Sequence, residues 1–315
     1  MYFLRRFIFA IPLVLLISAL AFALVRVAPG GPFDRERAPA SAEIERNLQA
    51  AYHLDEPVWK QYLRYCGLLW QKDAAGHWQH EPASFNVSFK YRDQRITDII
   101  AQGLPISMTL GGLAFCFAMG VGLPIGFLAA ARRGQWQETA GNFFAILALC
   151  VPGFVIGPIL ILVFAIKWKL LPVALWTSPV NAVLPMIALG LLFSGQVARL
   201  FREGMISAAQ SEFVTAARAK GLDETTLLFR HALRIAILPV VSFSGPMLAD
   251  LLTGSFVVEN IFQIPGIGGF FINSALNSDY MMTVDLAVLY AVLLIGLNLA
   301  VDFAYTLLDP RVKYE

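Results

Sequence analysis

The sequence predicts an all-α membrane protein of six transmembrane helices, on three observations. Apolar runs of about 20 residues recur along the chain, each long enough at 1.5 Å per residue to cross a hydrocarbon core of about 30 Å. Mean hydropathy is +0.64 over 315 residues, with 57% hydrophobic and only 15% charged residues, where soluble domains carry about 25% charged. The arginines and lysines of the short loops also collect on one side of the predicted spans.

The first run, Phe7–Val25, follows Arg5-Arg6 and is followed at once by Arg26. A signal peptide is the competing reading, because Ala21-Phe22-Ala23 resembles a cleavage site. The run is longer than a usual signal core, so an uncleaved first helix is expected. Pro29–Gln102 is the one sizeable polar region. Within it Ser41–Tyr52 and Val58–Trp70 show helical spacing, through Ile44, Leu48 and Ala51, then through Tyr62, Tyr65 and Leu69. Asp73–Phe89 has no clear period and is expected to be loop. His77 and His80 stand three apart in it; without further ligands they read as solvated side chains rather than a metal site. Arg95–Gln102 is expected to run along the membrane surface into the second span. Five more spans follow, at roughly Leu104–Ala131, Asn142–Ile166, Ala182–Leu200, Ile235–Val258 and Val284–Leu308.

Six spans put both termini on one side. Arg5-Arg6, Arg132-Arg133, the Arg199–Arg234 loop, Arg311 and Lys313 fall on that side. The other side has Lys167 and Lys169 in a short loop, plus the long polar region, and long segments translocate regardless of charge. Both termini are therefore expected in the cytoplasm.

Composition excludes several function classes. A net charge of +2 argues against a nucleic-acid partner. Three scattered cysteines, Cys66, Cys116 and Cys150, form neither a disulfide framework nor a metal spacing, and no cofactor is expected. The chain has no Gly-x-x-x-x-Gly-Lys-[Ser/Thr], His-Glu-x-x-His or Gly-x-Ser-x-Gly, so it is not read as an enzyme. If such a chain moved a solute uphill, the energy would have to come from another subunit or from an ion gradient.

Inside the spans, Gly122–Gly126 and Gly153–Gly157 are Gly-x-x-x-Gly pairs that allow close helix contact, with Pro124, Pro152 and Pro158 beside them. Asp250 is the most unusual intramembrane residue. A centred aspartate costs about 2.5–3.5 kcal/mol on insertion scales, so it must face protein or water. It either lines a solute path with Gln196, or pairs with a polar group such as Gln196 or Asn298 for structure alone. Asn298 and Asp302 share one face of the last helix, where a structural role is expected. After the fifth span, Glu259–Phe271 is rich in proline and glycine. Pro265, Gly266 and Gly268 impose a tight turn at the outer mouth, and Phe262, Phe270 and Phe271 are candidates to close a pore there.

The stretch Glu212–Pro239 is polar and basic between long apolar segments. Glu212, Phe213, Ala216, Ala217 and Lys220 recur at helical spacing. Gly221 suits the left-handed stop of a helix, and Asp223 is placed to cap a second one. Small side chains at Ala216, Ala217 and Gly221 let a soluble partner approach closely; the plain alternative is an ordinary basic loop.

This stretch resembles the Glu-Ala-Ala loop of permease subunits of binding-protein-dependent ABC importers. Thr215-Ala216-Ala217 and Gly221 fit the spacing, with Thr in place of the first Glu, His231 at the hydrophobic position and Leu238-Pro239 a few residues late. Those departures are similar to the peptide-permease branch, as are Arg218-Ala219-Lys220-Gly221 and Arg230-His231-Ala232-Leu233. Ala28-Pro29-Gly30-Gly31-Pro32, Pro265-Gly266-Ile267-Gly268 and Leu308-Asp309-Pro310-Arg311 extend the resemblance over nearly the whole chain. Ala28–Phe33, Tyr52-His53-Leu54, Phe89-Lys90-Tyr91, and Tyr280 after Leu276-Asn277, favour the oligopeptide group over dipeptide, nickel or glutathione relatives.

The resemblance implies a type I ABC importer fold. It implies an N-terminal helix with a periplasmic segment over residues 1–103 and a five-helix permease domain over 104–315. It also implies partners: a second homologous permease, two cytoplasmic ATPase subunits, a periplasmic peptide-binding protein and the lipid bilayer of the inner membrane. Glu212, Thr215, Ala216, Ala217, Arg218, Lys220 and Gly221 would then couple to the ATPases, within a loop of about residues 203–235. Two rivals stand apart. An ion-gradient transporter would need a set of midplane ion ligands and repeated halves. An intramembrane enzyme would need a nucleophile–base pair or metal ligands in the spans.

Overall fold

A computed structural model describes residues 2–27, 53–72, 78–80, 87–88, 90–91, 94–173, 175–223, 226–252 and 256–308. The Ala28–Pro32 motif, the helical pattern at Ser41–Tyr52, His77, and Asp309-Pro310-Arg311 lie outside these residues. Two compact units are present. One takes the described residues of Phe3–Gln102 and Phe270–Val292, the other those of Gly103–Gly269 and Leu293–Glu315.

In the first unit, α1 (Tyr2–Val27) is the apolar N-terminal helix. Next, α2 (Val58–Tyr65) starts after Pro57, whose fixed φ suits a helix entry, and the chain turns away at Gly67, φ +67°. Strands β1 (Trp70–Lys72) and β2 (Trp78–His80) pair antiparallel, with Trp70 opposite His80. At Trp78–His80 this corrects the expectation of loop over Asp73–Phe89: a three-residue strand is too short to show a period of two. His80 is also more than a solvated side chain. Its ring lies edge-on to Trp70 at 5.2 Å, and its Nε2 bonds the Gly67 carbonyl at 2.6 Å. Phe22, Tyr65, Ile96, Ile99, Met282 and Val284 form the core of this unit.

The helix α3 (Ile96–Ala131) runs for 36 residues. Ile96–Gln102, expected to lead into the second span, forms its first turns, because nothing between Ile96 and Gln102 breaks a helix. The expected span Asn142–Ile166 is two pieces, α4 (Trp136–Cys150) and α5 (Gly153–Leu160), the latter continuing as a π-helix over Ile161–Lys167. They are bent by 101°. Pro152 supplies no N–H and drives Val151 into extended backbone, φ −91° and ψ 115°, so the hydrogen-bond ladder stops there. By length and composition, five helices among the described residues can cross a membrane, or six if the bent pair is one span.

The second unit is built around α6 (Val183–Ala209). Its entry is fixed by Ser178, whose backbone N–H donates to Asn181 Oδ1 at 3.1 Å, and by Pro179. Leu184, Val197, Phe201 and Met205 point into a core shared with Leu110, Met247, Leu251 and Phe262. Then come α7 (Glu212–Ala219), a π-helical turn at Leu227–Ala232, α8 (Leu233–Ala236), α9 (Leu238–Leu252) and α10 (Phe256–Ile261). The chain closes with α11 (Ile267–Leu276) and α12 (Tyr280–Leu308).

Glycines let the helices of this unit touch through backbone. A Cβ at Gly122 would stand 2.6 Å from the Ser194 carbonyl oxygen, and one at Gly126 2.5 Å from that of Ala198. The expected contact at the first Gly-x-x-x-Gly pair is therefore present, against α6. Gly111 is tighter still, with 2.2 Å to the Leu251 oxygen. The Gly153–Gly157 pair is looser and meets side chains at Gly157: an added Cβ would stand 3.8 Å from the Ala188 carbonyl oxygen at Gly153, and 3.3 Å from Ile261 Cγ2 at Gly157, where the isoleucine would have to give slightly.

Candidate functional site

The polar loop after α6 is held by local rules. Ser211 stands in extended backbone before α7, and its hydroxyl donates to the Ala208 carbonyl at 2.6 Å. Only Val214 of α7 is buried, at 1% exposure. Glu212, Thr215, Ala216, Arg218 and Lys220 are exposed, and Ala217 is half-buried. The helix stops at Gly221, φ +83°. Its N–H donates to the Arg218 carbonyl at 3.0 Å, and the Leu222 N–H to that of Ala217 at 3.4 Å. This paired closure is the Schellman stop, which requires a left-handed residue at that place. A Cβ at Gly221 would meet none of the described residues within 4 Å. Asp223 caps the next helix as expected, with Oδ2 accepting from the Thr226 N–H at 3.0 Å. The seven residues read as one surface thus share one short exposed helix and its stop.

The turn between α10 and α11 contains Pro265, Gly266 and Gly268 and is organised by a residue the sequence reading passes over. Glu259 is 1% exposed. Its Oε1 accepts from Ser107 Oγ at 2.8 Å and its Oε2 from the Gly268 N–H at 3.0 Å, while Ser107 Oγ accepts from the Ile267 N–H at 3.0 Å. A Cβ at Gly266 would fall 2.4 Å from the Glu259 carboxylate. Gly266 is there because a carboxylate and a hydroxyl occupy the space, and Gly268 because the Phe256 backbone and the Glu259 carboxylate do. The signal was one acidic residue in an apolar run, seven before Gly266. Phe262, a candidate to close a pore, is 1% exposed and packs in the core of the second unit. Phe271 is 41% exposed.

Asp250 lies on the exposed face of α9, in one helical stripe with Ser242 and Pro246. Gln196 is half-buried on α6. A carboxylate on the outer face of an apolar helix needs protein or water against it. Among the described residues no three His, Cys, Asp or Glu side chains gather in a metal-holding group.

Known proteins match this architecture. The profile described as "Binding-protein-dependent transport system inner membrane component" matches residues 122–314, and that of its N-terminal region matches residues 1–111. The chain belongs to this family. Among relatives, "Oligopeptide transport system permease protein OppB" of Salmonella typhimurium is 39% identical over 316 residues, covering 99% of both chains. The OppB protein of Haemophilus influenzae is 38% identical over 98% of both. "Dipeptide transport system permease protein DppB" of Bacillus subtilis is 38% identical over 99% of this chain and 97% of the relative. Among solved structures, the inward-facing MetNI methionine ABC transporter has a chain that superposes with a TM-score of 0.56 at 17% identity, covering 68% of this chain and 98% of that one. A chain of an amino acid ABC transporter gives 0.54 at 18%, covering 66% and 94%. The fold is therefore that of ABC importer permeases, and the chain is an integral, multi-pass member of the family.

Proposed function

We propose that this chain is a permease subunit that carries oligopeptides across the inner membrane, driven by ATP hydrolysis in partner subunits. The observation that carries the proposal is α7 with its Gly221 stop: a short helix that shows small and charged side chains outward and has none of the described residues within 4 Å of where a Gly221 side chain would stand. In this reading Glu212, Thr215, Ala216, Ala217, Arg218, Lys220 and Gly221 receive an ATPase subunit. Pro265, Gly266 and Gly268 form the turn of an outer gate, and Asp250 and Gln196 face the solute path. The partners are a second homologous permease, two ATPase subunits and a periplasmic peptide-binding protein. Residues 1–103 act as an N-terminal helix and periplasmic segment, and 104–315 as the permease domain. ATP-driven closure of the ATPases moves α7, and through it a two-state arrangement of spans. A dipeptide solute is the second reading, favoured by the 38% identity to the DppB relative beside 38–39% to the OppB relatives.

The test is purification of a tagged chain from its native membranes. A P-loop ATPase and a second, homologous permease are expected to copurify, and mass spectrometry of the solute on the cognate receptor separates oligopeptide from dipeptide. A chain that purifies without any ATPase contradicts the proposal. Orientation is tested by a reporter active only in the periplasm: it should be silent after Glu315 and active near Gly76, and activity after Glu315 contradicts cytoplasmic termini.

A further inference from the structure

The helix α2 is turned inside out for a helix bathed in water. Its inward residues are Gln61, Arg64 and Tyr65, exposed by 6%, 5% and 6%. Its outward residues are Val58 and Trp59, exposed by 46% and 65%, and Leu68 and Trp70 continue outward beyond it at 63% and 58%. Water favours the opposite arrangement, with valine and tryptophan inside and arginine outside. The inward polar side chains of α2, Gln61 and Arg64, find partners within the unit. Gln61 Nε2 donates to the Glu56 carbonyl at 2.7 Å, its Oε1 accepts from Arg26 Nε at 2.7 Å, and Arg64 donates to the Glu56 carboxylate at 2.6 Å. A segment that hides its hydrogen-bonding groups and shows apolar ones is built for hydrocarbon.

Depth is the second, independent observation. The Tyr62 hydroxyl donates to the Leu15 carbonyl at 3.1 Å and lies 2.7 Å from Ser18 Oγ. The rings of Tyr62 and Tyr65 lie 5.4 Å and 5.5 Å from that of Phe22. Leu15 and Ser18 are in the middle of the 20-residue candidate span Ile8–Val27. At 1.5 Å per residue, Phe22 is about 8 Å and Leu15 about 18 Å below the Val27 end. Half of a hydrocarbon core is about 15 Å. So α2 lies beside the half of α1 that ends at Val27 rather than beyond it. Leu20 and Leu24 of that half are themselves 54% and 69% exposed.

We propose that α2 and the residues just after it are embedded in one leaflet of the bilayer. Val58, Trp59 and Leu68 rest against phospholipid acyl chains, and Trp70 sits at the headgroup boundary, where amphipathic rings prefer to be. The occupant of this surface is lipid. Eight residues with a polar inner face escape a hydropathy search for spans, so the sequence counts the segment as part of an aqueous loop.

Collision-accessibility spectroscopy tests this on the full-length chain, purified with its copurifying subunits and placed in phosphatidylcholine vesicles. Trp59→Cys and Leu68→Cys are spin-labelled in a background carrying Cys66→Ala, Cys116→Ala and Cys150→Ala. Relaxation by oxygen is expected to exceed that by a water-soluble nickel chelate several-fold at both positions, with the reverse at a label on Asp55→Cys. A nickel-dominated signal at residues 59 and 68 means water, and poor access for both colliders means a protein partner; either result overturns the proposal. A measurement that keeps the cysteines guards against misfolding. In vesicles of brominated phosphatidylcholine, Trp59→Phe is expected to lower the quenched fraction of tryptophan emission, and an unchanged fraction overturns the proposal.

Discussion

Substituting Gly221 by alanine, asparagine and aspartate separates a helix stop from a docking surface. The residue sits at φ +83°, a left-handed conformation. There a β-carbon costs about 1–2 kcal/mol, and asparagine and aspartate pay less because their short polar side chains visit that region. A penalty of this size shifts a local equilibrium roughly 5–30-fold. Among the described residues no steric cost adds to it, since a Cβ would meet none of them within 4 Å. If Gly221 only stops α7, alanine is the most damaging of the three changes. If a partner surface closes on this position, the order reverses: alanine is mild to moderate, and asparagine and aspartate lose partner binding although they strain the backbone least. The assay is ATPase copurification and peptide uptake for all three variants in the same membranes, beside the amount of inserted chain. The account predicts equal insertion, with uptake lowest for Gly221→Asp. Full ATPase association and full uptake for Gly221→Asp would refute the docking role.

Three more expectations follow from particular contacts. Gly111→Ala pushes a methyl to within 2.2 Å of the Leu251 carbonyl, and overpacking of this kind costs about 1–3 kcal/mol, so the folded yield in detergent should fall; Gly112→Ala meets nothing within 4 Å and should not lower it. Glu259→Ala leaves the Ser107 hydroxyl and the Gly268 N–H without their acceptor in a buried place, at about 1–3 kcal/mol each, and should lower the unfolding temperature more than Glu259→Gln, which keeps one acceptor oxygen. Asp250→Asn should reduce uptake while leaving the assembly intact if the charge lines the path; a reduced amount of assembled complex, measured by size-exclusion chromatography, would assign it a structural role instead.

What was legible in the sequence is what local chemistry decides. The stop at Gly221 and the cap at Asp223 depend on residues within five positions, and both stand where their signals place them. The spans follow from hydropathy, which needs no knowledge of neighbours. The bend after Cys150 was half legible: Pro152 marks an interruption, but its 101° angle depends on what each half packs against. Glu259 was not legible, because its side-chain partner Ser107 is 152 residues away. The inverted face of α2 was equally hidden. Helical spacing says which residues share a face, but not which face is inside, and that choice is made by Glu56, Arg26 and Phe22.

Transport driven by a nucleotide is the central claim, and uptake by proteoliposomes tests it most directly. The chain with its copurifying subunits is reconstituted, the receptor and a labelled oligopeptide are added, and accumulation is followed with ATP at the face that binds the ATPases. The account predicts accumulation that requires ATP and hydrolysis, survives an ionophore that collapses ion gradients, and is lost with Gly221→Asp. Accumulation that proceeds without ATP and vanishes with the ionophore would contradict it.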